Sequence, residues 1–284
     1  MTHMQIRDVS LFVKVMGQGY PLVFMHGGPG LDHTSLLALR PCADQFTLIF
    51  YDHRCNGRSE GAEVSSMTWE NLTADAEALR QTLGFDKWAV LGHSFGGNVA
   101  LEYALRYPQS LPHLILMDTC GDTRWVQHNA PEILAKRGYG PAAVQAARRF
   151  FNGQLTPAEV LPNSLKFARA YYYHDSILAL VRDAVLRPGL KMRHEAQIFG
   201  FSQVLTGWTV MDRLNEIKVP TLVMAGRYDF LFPPEHQVAL AAGIANARLE
   251  IIERAGHEAP SERTAEVIQV VRDFMATANV PESC

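Results

Sequence analysis

This 284-residue chain has few basic residues, few cysteines and no long apolar run, and each shortage removes a class of function. Lysine and arginine number 26 against 29 aspartates and glutamates, a net charge of −3, and they form no block. A surface that tracks a phosphate backbone needs a basic stripe, so nucleic acid is not expected as a partner. Four cysteines (Cys42, Cys55, Cys120 and Cys284) are too few for a disulfide scaffold, and none stands in a Cys-x-x-Cys pair. They read as reduced thiols of a cytoplasmic protein, with Cys284 an exposed tail residue. No stretch approaches the roughly 18 uncharged apolar residues of a membrane helix, so no membrane association is expected. The first ten residues, MTHMQIRDVS, hold no apolar core of a secretory signal. Low-complexity tracts and internal repeats are absent, and only 19% of residues are charged. Hydrophobic residues make up 48%, enough for a large core, which excludes a disordered chain.

Periodicity and punctuation order the elements. Ile6 to Met16 alternates as one or two strands, and Tyr20 to Met25 is a short apolar run of the buried, parallel kind that ends at Gly27. A helix follows around Ser35 to Ala43, then a buried strand from Phe46 to Tyr51. Between Thr68 and Leu83 the residues Trp69, Leu72, Ala76, Leu79 and Leu83 recur at 3-4-3-4 spacing, one face of a helix that Gly84 stops. Lys87 to Gly92 reads as a strand, Gly97 to Tyr107 as a helix, and Leu114 to Met117 as a strand. Pro220 to Ala225 and Arg248 to Ile252 are strands, each followed by a helical stretch. Strands separated by helices imply an α/β fold, a mostly parallel sheet covered on both faces. From about Asp122 to Thr209 the rhythm breaks into helical patches without a buried strand. The expected organisation is a core of residues 1–121 and 210–284, with an inserted helical cap, 122–209, after the sixth or seventh strand.

Three strand ends carry chemistry. Gly92-His93-Ser94-Phe95-Gly96 matches Gly-x-Ser-x-Gly, with an apolar strand before it and a helical stretch after it. A tight strand-to-helix turn needs small residues on either side of a nucleophile, and it lifts the serine hydroxyl clear of the sheet. His26-Gly27-Gly28-Pro29-Gly30 follows an earlier strand, where glycines let the backbone aim N–H groups at a ligand. The N–H groups of Gly28 and Phe95 are candidate donors to an oxyanion. Late in the chain, Asp229 lies just past one strand and His257 just past the next. The order Ser94, Asp229, His257, at spacings of 135 and 28 residues, is that of a nucleophile, an acid and a base on such a sheet. His257 would take the Ser94 proton and return it to the leaving group, and Asp229 would hold the imidazole in the right tautomer.

With these motifs the chain resembles the α/β-hydrolase superfamily over essentially its whole length, from Ile6 to about Thr277. His26-Gly-Gly-Pro-Gly30 and Asp52-His-Arg-Cys-Asn-Gly-Arg-Ser59 resemble the proline iminopeptidase branch with its carboxylesterase and lactonase relatives. The resemblance implies a nucleophile at Ser94, an acid at Asp229, a base at His257, and oxyanion donors at Gly28 and Phe95. Cys55 departs from it, standing where the second motif has glycine. As a second nucleophile Cys55 lacks an identifiable base beside it. Relatives with an aspartate nucleophile are excluded by Ser94. No G-x-x-x-x-G-K-[ST] or H-E-x-x-H occurs, and no cofactor is implied.

The substrate is harder to read, because one such scaffold cleaves esters, lactones, amides, thioesters or carbon–carbon bonds. The interval 122–209 holds eleven of the 27 Phe, Tyr and Trp residues, Trp125, Tyr172 and Trp208 among them. With His26 and Phe230 these are candidates for an apolar pocket over Ser94. A prolyl peptidase must in addition desolvate an ammonium group, which requires a cage of carboxylates or carbonyls, and the resemblance implies glutamates in the cap or close to the triad acid. Phe230 supplies no charge beside Asp229, which leaves Glu132, Glu159, Asp175, Asp183 and, best placed, Glu195. Phe95 after the serine is closer to general esterases and lactonases than to the iminopeptidases that carry tryptophan there. The expectation is a serine hydrolase of carboxylic esters or lactones, acyl-homoserine lactones among them. The alternatives are a proline iminopeptidase using the same chemistry and a non-catalytic ligand-binding member. A small-molecule ester, lactone or short peptide is the expected partner. His93 and His26 are expected to shape the site, and Arg54 and Arg58 to hold the loop around Asp52.

Overall fold

The computed structural model describes residues 2–187 and 189–277. Cys284 therefore lies outside the described residues. Eight strands, β1 (Thr2–Ile6), β2 (Val9–Met16), β3 (Tyr20–Met25), β4 (Phe46–Tyr51), β5 (Ala89–His93), β6 (Leu114–Met117), β7 (Thr221–Gly226) and β8 (Ala247–Ile252), form one sheet. Its order is β1-β2-β4-β3-β5-β6-β7-β8. The β1–β2 and β2–β4 pairs are antiparallel and all others are parallel. The stretch Ile6 to Met16, expected as one or two strands, is the last residue of β1 and the whole of β2.

The parallel strands read as unbroken apolar runs because both faces of the sheet are buried. Val23, Met25, Val90, Leu116 and Val223 point into one hydrophobic layer. Their neighbours Leu22, Phe24, Leu91, Ile115 and Met224 point into the other. The first layer is covered by α1 (Trp69–Thr82), α2 (Phe95–Arg106) and α8 (Pro234–Gly243). Thr68 caps α1 by accepting the Asn71 N–H at 3.2 Å, and Leu72, Ala76 and Leu79 form its buried face. The second layer is covered by α10 (Thr264–Thr277) and by residues His33–Asp44, which wind as 3₁₀ turns around an internal Pro41.

Between β6 and β7 the regular elements from 124 to 204 are all helical: α3 (Arg124–Lys136), α4 (Pro141–Phe151), α5 (Pro157–Ser164), α6 (Ile177–Leu186) and α7 (His194–Phe199), with short 3₁₀ turns and a π turn at Gly200–Val204. An antiparallel bridge, Asp122 to Thr209, closes the neck of this segment, and Thr123 hydroxyl donates to the Leu205 and Trp208 carbonyls there. The segment rests directly on the loops after β3 and β8. A Cβ on Gly200 would lie 2.1 Å from Pro29 Cγ, and one on Gly256 would lie 2.5 Å from the Tyr171 carbonyl. The short helix α9 (Ala259–Glu262) leads from the β8 loop into α10.

Candidate active site

The turn from β5 to α2 explains its own sequence. Ser94 sits at φ 54°, ψ −124°, a conformation that non-glycine residues rarely adopt. A Cβ on Gly92 would lie 2.4 Å from the Gly96 carbonyl, and one on Gly96 would lie 1.9 Å from the Met25 carbonyl. Only glycine lets β5, α2 and the end of β3 approach this closely. The turn places Ser94 one residue before a helix whose first N–H groups have no partner within it, that of Phe95 foremost.

The ends of β5, β7 and β8 bring the three sequence-selected side chains together. Ser94 Oγ lies 3.0 Å from His257 Nε2, and His257 Nδ1 lies 2.8 Å from Asp229 Oδ2. The other Asp229 oxygen, Oδ1, accepts the backbone N–H of Leu231 at 2.8 Å and of Phe232 at 3.2 Å. All three residues are buried. Burial pushes the Asp229 carboxyl up, but His257 and the two backbone N–H groups outweigh it and hold the group below the ordinary value. Burial pulls His257 down, yet its partner Asp229 outweighs that and holds it above an ordinary imidazole. The arrangement can withdraw a proton from a hydroxyl and stabilise the resulting imidazolium.

Behind this row lie two groups that sequence reasoning placed less well. His93 donates from Nε2 to the His257 carbonyl at 3.0 Å, fixing the backbone that carries the imidazole. Burial, with the positive charge of His257, takes His93 down to about 4, so it stays neutral. Asp118, at the end of β6, accepts the Gly226 N–H at 2.8 Å and is fully buried. Burial and the neighbouring Asp229 drive its carboxyl well upward. No motif in the sequence singled it out.

The loop after β3 is tied down by the loop after β4. Asp52 accepts the His33 N–H at 2.9 Å and the Arg58 N–H at 2.8 Å, and Asn56 Oδ1 accepts the Gly30 N–H at 2.5 Å. Arg58 also pairs with Asp32 at 2.5 Å, as a loop-holding residue should. Arg54 does not join this cluster. It turns to Asp75 at 2.6 Å and Asp8 at 2.9 Å, anchoring the loop to α1 and the β1–β2 hairpin. Cys55 sits at φ 63°, the left-handed region that favours glycine, which accounts for the usual residue at that point of the motif. Its thiol faces the Glu63 carbonyl at 3.3 Å, burial pushes it up, and it does not line the site.

Ser94 and His257 open onto a cavity of about 230 Å³, smaller than the roughly 300–1,000 Å³ of typical ligand pockets. Gly28 and Phe95 line it beside them, and Val126, Phe150, Phe151, Tyr171, Phe201 and Leu231 make most of its wall apolar. Of the five candidates named individually, Tyr172 lines the cavity, whereas Trp125, Trp208, Phe230 and His26 do not. Trp125 is half exposed and meets His236 on the outside at 4.3 Å between rings. Trp208 is drawn to the neck, where its indole N–H donates to Glu102 at 2.8 Å and its ring packs on Trp69. Phe230 is buried behind the wall against Tyr171. His26 is sealed beneath the loop, donating to the Gly27 carbonyl and accepting the His53 N–H.

The carboxylate candidates also miss the cavity. Glu132 and Glu195 are exposed, Glu159 pairs with Arg149, Asp175 with Arg137, and Asp183 with Arg182 and Arg187. The carboxylate that does line it is Glu258, which pairs with Arg187 at 2.7 Å. Its position directly after His257 was the one signal in the sequence that could have found it.

A family model described as alpha/beta hydrolase fold matches residues 20–264. The chain belongs to that family. This α/β-fold hydrolase is 28% identical to a proline iminopeptidase of Saccharolobus solfataricus, an alignment covering 95% of this chain and 90% of the relative. Among solved structures, the hydrolase is similar to a thermophilic esterase from Thermogutta terrifontis, with a TM-score of 0.72 and 25% identity over 98% of each chain. It is also similar to the enol-lactonase from Burkholderia xenovorans LB400, with a TM-score of 0.75 and 23% identity over 96% of this chain and 99% of that one. None of the helices among the described residues is long and apolar enough to cross a membrane.

Proposed function

We propose that this hydrolase cleaves carboxylic esters or lactones of small molecules through an acyl-enzyme at Ser94, with residues 122–209 acting as the cap over the site. The supporting observation is the row Ser94–His257–Asp229, at 3.0 and 2.8 Å, opening onto an apolar cavity whose lining carboxylate is already neutralised by Arg187. As Ser94 Oγ attacks the carbonyl carbon, His257 Nε2 takes its proton. The carbonyl oxygen becomes an oxyanion facing the Gly28 and Phe95 N–H groups, each worth about 2.7–4 kcal/mol to the transition state. Collapse of that intermediate breaks the bond to the alkoxide oxygen, which leaves with the proton from His257. A water molecule then repeats the sequence and releases the acid. In a lactone the departing alcohol stays tethered to the acyl chain, so the product is one hydroxy acid.

Proline iminopeptidase activity is the second reading, favoured by the likeness to such enzymes and by the Glu258 carboxylate at the wall. It would require Glu258 to turn from Arg187 to a substrate ammonium, and breaking a buried ion pair costs several kcal/mol.

Initial rates on p-nitrophenyl butyrate and prolyl-p-nitroanilide, with Ser94→Ala in parallel, separate the readings. The expected result is ester cleavage at least about 10³-fold above the variant with little prolyl release. Dominant prolyl release overturns the ranking. Inertness of the wild-type protein on both substrates points to a binding protein instead.

A further inference from the structure

The cavity wall is mostly apolar, with Ser35, Asn98, Thr123, Gln127, Ser164 and Gln197 as neutral polar residues. Among the described residues its one arginine–carboxylate pair is Arg187, at the C-terminal end of α6, with Glu258. Arg187 Nη2 donates to Glu258 Oε2 at 2.7 Å and lies 3.0 Å from Asp183 Oδ2. Asp183 is in turn held by the Tyr172 hydroxyl at 3.2 Å, Ser261 Oγ at 2.6 Å and Arg182 at 2.9 Å. Arg187 thus donates one Nη2 hydrogen bond, to Glu258, and is held beside Asp183 by charge alone. Its Nε and Nη1 find no acceptor among the described residues, and neither is sealed from solvent. Three N–H donors are left over on a side chain that is itself only 15% exposed, flanked in the wall by Leu180, Leu190 and Met192.

The local charge decides what these donors suit. Asp183 and Glu258 are balanced by Arg182 and Arg187. An added carboxylate would bring an unmatched negative charge against Glu258 and Asp183, and an ammonium would face Arg187. A neutral oxygen acceptor incurs neither penalty, and in apolar surroundings a hydrogen bond from a charged donor is stronger than in water. We infer that Arg187 is a specificity-determining residue that donates to a second, uncharged carbonyl oxygen of the substrate, so that the preferred ester or lactone carries a keto or amide group away from the scissile bond. This rests on the ester and lactone reading above and adds the substrate class.

The test is a set of kcat/KM values for p-nitrophenyl 4-oxopentanoate, 5-oxohexanoate and 6-oxoheptanoate. Each is compared with the alkanoate of equal length and with the p-nitrophenyl half-ester of succinate, glutarate or adipate. Wild type, Arg187→Met and Arg187→Met/Glu258→Gln are measured. The double variant removes both charges in case the single one, which strands Glu258, fails to fold. The expected result is that at least one keto ester exceeds its parent by about tenfold or more in the wild type, and that this ratio falls to near one without Arg187. The inference is overturned if no keto ester gains, if the gain survives the loss of Arg187, or if a half-ester exceeds its keto counterpart. Parent esters cleaved in a Ser94-dependent way without any keto gain sink this inference alone. Esters left uncleaved throughout sink the ester reading with it.

Discussion

Replacing Asp229 by asparagine changes one atom and leaves the volume of the site unchanged, so its effect isolates the hydrogen bonds. Asp229 Oδ1 accepts two backbone N–H groups, from Leu231 and Phe232. These donors require an oxygen, so the amide introduced by Asp229→Asn is held with its oxygen on that side and its NH₂ facing His257 Nδ1. An NH₂ donor in place of Oδ2, 2.8 Å from Nδ1, forces that nitrogen to be the unprotonated one. The imidazole proton then sits on Nε2, which faces Ser94 Oγ at 3.0 Å and can no longer accept its proton. The same exchange in a Ser-His-Asp hydrolase lowers kcat by about 10⁴, or about 5 kcal/mol of barrier. Asp118 makes no hydrogen bond to His257 and offers no substitute. For Asp229→Asn we expect kcat on p-nitrophenyl butyrate to fall by about 10⁴ while the melting curve stays close to wild type. A variant that melts normally and keeps more than about one hundredth of kcat would refute the reasoning.

Two further outcomes follow from the same region. His93 is held neutral down to about 4, whereas an unfolded histidine titrates near 6.5. The unfolded chain therefore binds more protons between these values, and stability falls as pH drops through that window, by about 3 kcal/mol for this group by pH 4. Urea unfolding of wild type and His93→Gln at pH 7.5 and pH 4.5 checks it. An unchanged difference between the two proteins at both pH values would exclude His93 as the source. Gly96→Ala would place a methyl 1.9 Å from the Met25 carbonyl, backbone against backbone, with no flexible side chain to yield. We expect a loss above about 4 kcal/mol, read as failed soluble expression or a collapsed melting temperature, and a near-native melting curve would refute the close approach.

Much of this molecule was legible because its information is local. The apolar runs at Tyr20–Met25, Phe46–Tyr51 and Leu114–Met117 match strands residue for residue, since a strand buried on both faces leaves no alternation to misread. The 3-4-3-4 spacing after Thr68 became α1, with Thr68 as its cap and Leu72, Ala76 and Leu79 inward. The turn at Ser94 was legible for a different reason, because its glycines are dictated by the backbone approach of the very elements they join. Where the reading failed, the missing information was direction. Trp125 and Trp208 have the size and apolarity of pocket residues, but one turns outward to His236 and the other is drawn to Glu102 at the neck. Composition says that a ring is buried or exposed somewhere; it does not say which side of a helix faces a cavity.

The sequence by itself determined the element order, the α/β architecture and the three strand ends from which Ser94, Asp229 and His257 project, because strand period, glycine punctuation and chain order are properties of neighbours along the chain. Only the tertiary structure decided the wall of the cavity. Arg187 and Glu258 are 71 residues apart and meet only because the helical segment folds back over the loop after β8. The same packing turned Phe230 behind the wall, sealed His26 beneath the loop, and left Glu195 in solvent. A charge pair or a cavity forms between segments whose separation in sequence carries no trace of their contact, so its chemistry emerges only when the chain is closed.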